Sequence, residues 1–476
     1  MKTFTLLLLC AMGITTAASS VAADQSSLIQ RGQYLATAGD CTACHTSNET
    51  KPYAGGYPFN MPMGKIISSN ITSSKQFGIG NWTEQQFADA VRKGVRPDGS
   101  QLYPAMPYTS YSNITDQDIQ ALYAYFQSVP AIDEAPKQKT ELSFPFNLPG
   151  LMWGWNLMFA HGIPFKPDDT LSVEQNRGKY LVEGLAHCST CHTPRNQMMA
   201  EDSSEFLAGA HVDGWFAPNI TSDKISGIGG WSDAELASYL KNGHAVGKAQ
   251  AGGPMADAIQ HSFRFMTDSD IHAIVSYLKS VPAHRTTGQT DASWSVSKAK
   301  PVSWTEYEPG NSASNTKAYT DFSTTNGANL YSDNCAACHG ANGEGSDDNT
   351  IPSLTNNTAV GGSDPTNLVM AITQGIHRQG ADGKAVMPAF GEQQQVIHSW
   401  LTAGQVAAIA NYVTDHFGQG NASLTAQQVT SIQQGSGDIP FLVKNAKAIT
   451  IIAIVIVLVI IVVLVRKLKR NKEQNG

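Results

Sequence analysis

Three copies of one five-residue pattern constrain this 476-residue chain more than any other feature. They are Cys41-Thr42-Ala43-Cys44-His45, Cys188-Ser189-Thr190-Cys191-His192 and Cys335-Ala336-Ala337-Cys338-His339. Their first cysteines stand 147 residues apart and then 147 again, the mark of an internal triplication. On a helical turn, residues i, i+3 and i+4 share a face, so two thiols and an imidazole converge on one planar ligand. The thiols can add to the two vinyl groups of haem, and the histidine can take the iron. A zinc or iron–sulfur site would need the pairs brought together two by two, and three pairs cannot all be matched. Thiol-redox sites would not each need a following histidine. The pattern therefore predicts three covalently bound haem c groups, attached at Cys41 and Cys44, Cys188 and Cys191, and Cys335 and Cys338. His45, His192 and His339 are the expected axial ligands, and three plain disulfides are the bland alternative.

Both ends of the chain point to a membrane. Lys2, the apolar stretch from Phe4 to Ile14 and Val21-Ala22-Ala23 read as a signal peptide over residues 1–23, which removes the seventh cysteine, Cys10. Ala448 to Val465 is uncharged, with Thr450 as its one polar side chain, and spans about 27 Å as a helix. Arg466, Lys467, Lys469, Arg470 and Lys472 follow at once and favour the cytoplasm for residues 466–476. The expected location is the cell inner membrane, with the body in the periplasm. The formal charge is −7, and the body without leader and tail is more acidic still, which excludes nucleic acid as a partner.

The repeats extend beyond the cysteines. Arg31-Gly32-Gln33-Tyr34-Leu35 precedes the first motif and Arg177-Gly178-Lys179-Tyr180-Leu181 the second, with a looser Gly327-Ala328-Asn329-Leu330-Tyr331 before the third. Asn70-Ile71-Thr72 is matched by Asn219-Ile220-Thr221, where asparagine suits a turn, and Gly78-Ile79-Gly80-Asn81-Trp82 by Gly227-Ile228-Gly229-Gly230-Trp231. Each unit closes on an amphipathic helix, over 115–128, 267–280 and 402–416. Thr402 with Gln405 forms a capping box there, Thr115 with Asp118 and Thr267 with Asp270 its aspartate variants, and Thr83 with Gln86 and Ser232 with Glu235 start a middle helix. The reading is all-α: units over 24–140, 170–283 and 320–418, linkers over 141–169 and 284–319, a tether over 419–447 and one transmembrane helix over 448–465.

Each unit also has a methionine in a loop rich in proline or glycine: Met106, Met255 and Met387. These are the candidate distal iron ligands, with Met266 as a competitor for Met255, and Met61 and Met63 as packing residues. His187, His211, His244, His261, His272, His377 and His398 read as surface or hydrogen-bonded residues, and Arg92, Arg96, Arg195 and Arg378 as either solvent-exposed or paired with haem propionates. The apolar stretch from Phe144 to Phe165 is too broken by proline to span a bilayer. It reads as a strap between units one and two, with an exposed patch for membrane, quinone or a partner subunit as the other choice.

Taken together, the three motifs, the Asn-Ile-Thr and Gly-Ile-Gly-x-Trp elements, Tyr103-Pro104-Ala105-Met106-Pro107-Tyr108 and Gly252-Gly253-Pro254-Met255 resemble the tri-haem cytochrome c subunit of membrane-bound alcohol, gluconate, sorbitol and fructose dehydrogenases. The resemblance covers roughly residues 27–417 and implies three tandem class I cytochrome c domains. It also implies a partner subunit, carrying flavin or pyrroloquinoline quinone, that oxidises an alcohol or sugar, and ubiquinone as the acceptor. The chain itself would be an electron carrier with no catalytic residues of its own. A wire to a terminal oxidase is the alternative, and a haem peroxidase a more distant one, since no unit lacks a candidate methionine.

Overall fold

The computed structural model describes residues 25–295, 300, 324–391, 401–420, 422–435 and 439–474. The leader, most of the second linker and His398 lie outside these. Each unit is framed by a leading helix that crosses its closing helix: residues 25–38 over Asp116–Ser128, Val173–Tyr180 over Asp268–Leu278, and Gly327–Asn334 over Ala403–Phe417. The crossings are close because a glycine sits at each. A Cβ at Gly32 would lie 1.9 Å from the carbonyl oxygen of Ala121, one at Gly178 1.9 Å from that of Ala273, and one at Gly327 2.5 Å from that of Ala408. No side chain fits there without driving the helices apart.

Helix starts follow the local chemistry. Reciprocal capping boxes open the middle helices Glu84–Lys93 and Asp233–Asn242, at Thr83 and Ser232, and the closing helix at Thr402. Thr115 and Thr267 also cap, but Asp118 and Asp270 do not complete a box; they turn outward to partners described below. The all-α expectation needs amending. Short antiparallel pairs occur in every unit: Pro58–Met61 with Gly64–Ile67 and Glu141–Leu142, Ala210–Val212 with Trp215–Ala217, His244–Ala245 with Ala249–Gln250, and Ile376–Gln379 with Lys384–Met387. Strands of two to four residues carry no readable alternation, so periodicity could not reveal them.

Units one and two share one hydrophobic core, and unit three has its own. A reciprocal exchange explains this. Tyr34 of the first leading helix donates to Asp270 Oδ2 at 2.6 Å, and Tyr180 of the second donates to Asp118 Oδ2 at 2.5 Å. Each aspartate also holds the arginine of its own unit, Arg31 with Asp118 at 2.6 Å and Arg177 with Asp270 at 2.7 Å. Burial alone would raise the Asp270 carboxyl, but Arg177 and Tyr34 hold it below the usual carboxylate range. In unit three the corresponding residues are Asn326, Asn329 and Gln405, none of them the arginine, tyrosine or aspartate that makes this exchange.

Unit three docks on unit two instead. The Asn367 amide pairs with both backbone groups of Phe216, and Arg378 reaches the Ala251 carbonyl and Gln250. His211 meets Asp364 at 3.1 Å and His244 meets Asp382 at 2.7 Å. Past the tether, Ala446–Gln474 forms one helix; Ala446–Asn471 is long and apolar enough to cross a membrane, and none of it is buried against the body.

Candidate functional site

The Cys-x-x-Cys-His segments are single helical turns: Cys41–His45, Ser189–His192 after Cys188, and Ala336–His339 after Cys335. All six cysteines are free thiols, not disulfides. Burial pushes Cys41, Cys44, Cys188 and Cys335 up to about 12, which keeps them protonated. Among the described residues no cluster of His, Cys, Asp and Glu is arranged to hold a bare metal ion.

Each motif histidine is oriented in the same way. His45 Nδ1 lies 2.7 Å from the Ser69 carbonyl, His192 Nδ1 2.6 Å from that of Pro218, and His339 Nδ1 3.1 Å from that of Pro352. A carbonyl only accepts, so Nδ1 carries the proton and the Nε2 lone pair is left for a metal. Burial lowers all three imidazoles and keeps them neutral, the form that binds iron. In units one and two the accepting carbonyls are fixed by the turns that follow them. Asn70 Oδ1 accepts from Thr72 N at 2.9 Å and Oγ1 at 2.7 Å, and Asn219 repeats both bonds to Thr221 at the same distances. The amide of Asn70 then ties the turn to the Ile132 carbonyl beyond the closing helix, and that of Asn219 to His284. The Asn-Ile-Thr element is therefore the support of the motif histidine in units one and two.

The methionines also occupy equivalent positions. Each middle helix, Glu84–Lys93, Asp233–Asn242 and Thr366–Gln374, ends on a glycine of positive φ, at 64°, 81° and 72° for Gly94, Gly243 and Gly375. A hairpin turn follows each, and twelve residues after the glycine come Met106, Met255 and Met387 in turn. Met266 falls outside this register and is 1% exposed in the joint core. The sequence of the cytochrome c family matches this arrangement over residues 29–130, 175–282 and 324–416. The chain belongs to the cytochrome c family. Membership of this family supports covalently bound haem c, and the free thiols and Nδ1-anchored histidines of the three turns fit that group.

Several curated relatives of this cytochrome c chain are similar over most of both lengths. The fructose dehydrogenase cytochrome subunit of Gluconobacter japonicus is 45% identical, over 87% of this chain and 84% of that one. The gluconate 2-dehydrogenase cytochrome c subunit of Pantoea cypripedii is 36% identical, over 90% and 97%. The cytochrome c subunit of the quinone alcohol dehydrogenase of Gluconacetobacter polyoxogenes is 36% identical, over 86% and 84%.

The first two Cys-x-x-Cys-His motifs of this cytochrome open into one cavity of about 2760 Å³, lined by Cys41, Cys44, His45, Cys191 and Met106 among others. His187 sits at the seam. It has a positive φ of 37°, as Asp40 has at 51° in the same place of unit one, directly before the first cysteine. Its ring packs edge-on against Tyr111, 5.5 Å between ring centroids, and Tyr111 donates to the Gly39 carbonyl at 2.7 Å; burial lowers the His187 pKa to about 4. Tyr111 thus stands between the peptides that carry Cys41 and Cys188. Arg31 to Cys41 is one residue shorter than Arg177 to Cys188, and the extra residue is taken up by a π turn at Leu181–Leu185. Of the four arginines, Arg96 and Arg195 line the cavity, Arg92 pairs with Asp116 at 2.6 Å, and Arg378 is buried between units two and three and is not solvent-exposed.

Proposed function

We propose that this chain is a membrane-anchored, periplasmic electron carrier with three haem c groups. Cys41 and Cys44, Cys188 and Cys191, and Cys335 and Cys338 form the thioethers. His45, His192 and His339 bind iron on one side, and Met106, Met255 and Met387 on the other. The observation that carries the reading is the threefold recurrence of one geometry: an attachment turn, a histidine with Nδ1 held by a carbonyl, and a methionine twelve residues after a helix-capping glycine. With both axial positions filled, haem iron passes single electrons and offers no place for a substrate. Oxidation of an alcohol or sugar acid then belongs to a partner subunit with flavin or pyrroloquinoline quinone. The named functions of the relatives support such a partner. The helix at Ala446–Asn471 is apolar enough to place the carrier beside the bilayer, where ubiquinone is the nearby acceptor.

The test is reconstitution. The isolated chain should oxidise no sugar or alcohol. Its haems should become reduced once a dehydrogenase subunit and its substrate are added, and be reoxidised by a ubiquinone analogue. Substrate oxidation by the chain alone would overturn the proposal, as would haems that the partner reduces and no quinone reoxidises.

A further inference from the structure

The linker between units one and two folds into a helix, Leu151–Phe159, with two unlike faces. Its inner face is fastened to the body. Met152 is buried, Asn156 accepts from the Tyr108 hydroxyl at 2.7 Å and donates to Gln101 at 2.7 Å, and the Trp155 indole donates to the Met198 carbonyl at 2.8 Å. The strap reading therefore holds for this face. The outer face is bare: Trp153 and Leu157 are each 65% exposed, and Ile163 beyond the helix is 67% exposed. From Ser143 to Phe165 there is no Asp, Glu, Lys or Arg. A soluble surface does not ordinarily concentrate large apolar side chains in this way.

What covers the face is indicated by its neighbour. Gln197, next to Met198 under Trp155, accepts from the Leu442 backbone N–H at 3.4 Å. Leu442 and Phe441, 42% and 66% exposed, stand four and five residues before the membrane-spanning helix begins at Ala446. The bare face and the root of the span thus lie on the same side of unit two, joined through Gln197 and Met198. Near the root are Lys444 and Lys447, suited to lipid headgroups, and tryptophan is favoured at the level where hydrocarbon meets headgroup. We infer that Leu151–Phe159 lies in the outer surface of the bilayer as a second, peripheral membrane contact, its apolar face in lipid and its Asn156 face bracing the Met106 loop. This rests on the reading of Ala446–Asn471 as a membrane anchor.

The experiment uses the full haem-loaded chain in phosphatidylcholine/phosphatidylglycerol vesicles. Because haem attachment consumes the mature cysteines, Leu157→Cys supplies a unique site for a nitroxide, with Trp153→Cys as a second position. Val173→Cys, at a residue 91% exposed on the next helix, is the aqueous reference. A label at 157 or 153 should be relaxed more by oxygen than by a water-soluble nickel chelate, and the label at 173 the reverse. Labels at 157 and 153 as open to nickel as that at 173, on chains that float with the vesicles, would overturn this inference and leave the anchor standing. Chains that do not float would overturn both. Protection at 157 that arises only after a dehydrogenase subunit is added would assign the face to that protein, and would also overturn the inference.

Discussion

Met255 and Met266 differ in what surrounds them, and the difference predicts separable phenotypes. Met255 lies half-buried in the first turn of Gly253–His261, twelve residues after Gly243, while Met266 is sealed in the joint core with its carbonyl accepting from Lys241. Met255→Ala should therefore open one haem to carbon monoxide and lower its potential, with little loss of stability. Met266→Ala should leave the haem spectrum unchanged and cost about 2–5 kcal/mol through the cavity it creates. Carbon monoxide titration and thermal unfolding of both variants check this, and the opposite pattern would move the ligand to Met266. The sequence held the deciding signal, since the glycine-to-methionine interval can be counted without a structure. It becomes meaningful only when the glycine is known to cap a helix. His187 was less legible: the preceding-cysteine position was visible, but the ring it packs against, Tyr111, lies in another unit.

At the scale of elements, the crossing of leading and closing helices is the joint on which each unit depends. Gly178→Ala would place a methyl 1.9 Å from the Ala273 carbonyl oxygen and 2.6 Å from the Tyr277 Cβ, both on a buried helix that cannot give way. The expected loss is on the order of 3 kcal/mol, felt by units one and two together because they share a core. Gly154→Ala is the control, since a Cβ there meets nothing within 4 Å and helix propensity alone should favour alanine by about 1 kcal/mol. Thermal midpoints should fall for the first variant and hold or rise for the second. Equal midpoints would deny the crossing its role. The helices themselves were readable from capping residues and three–four spacing, because both signals are local. What the capping aspartates do was not. Asp118 and Asp270 look like halves of a capping box, and only tertiary packing brings Tyr180 and Tyr34 to them.

For the whole molecule, the even spacing of 147 residues suggests three equal beads, yet the units are not equivalent. Tyr34 and Tyr180 bind units one and two into one body, and the absence of a tyrosine at Asn329 leaves unit three with a separate core and a docking surface on unit two. The Cys41 and Cys188 peptides approach each other across Tyr111 at a single cavity, lined by Cys41, Cys44 and Cys191. Haems held at these two motifs would feel each other's charge. Two unit charges about 15 Å apart at an effective dielectric of about 20 interact by roughly 1 kcal/mol, or about 50 mV for a one-electron couple. Reduction of either of the first two haems should therefore lower the other's potential by an amount of this order. The interaction of haem one with haem three should be smaller, since unit three has a core of its own and docks on unit two. A redox titration that follows each low-spin haem by its own paramagnetic resonance signal measures both quantities. His187→Ala, which removes the ring packed on Tyr111 between the two motifs, should change the first interaction and leave the potential of haem three unmoved. Equal interactions across all three pairs would mean that the shared core does not set the electrical layout of the chain.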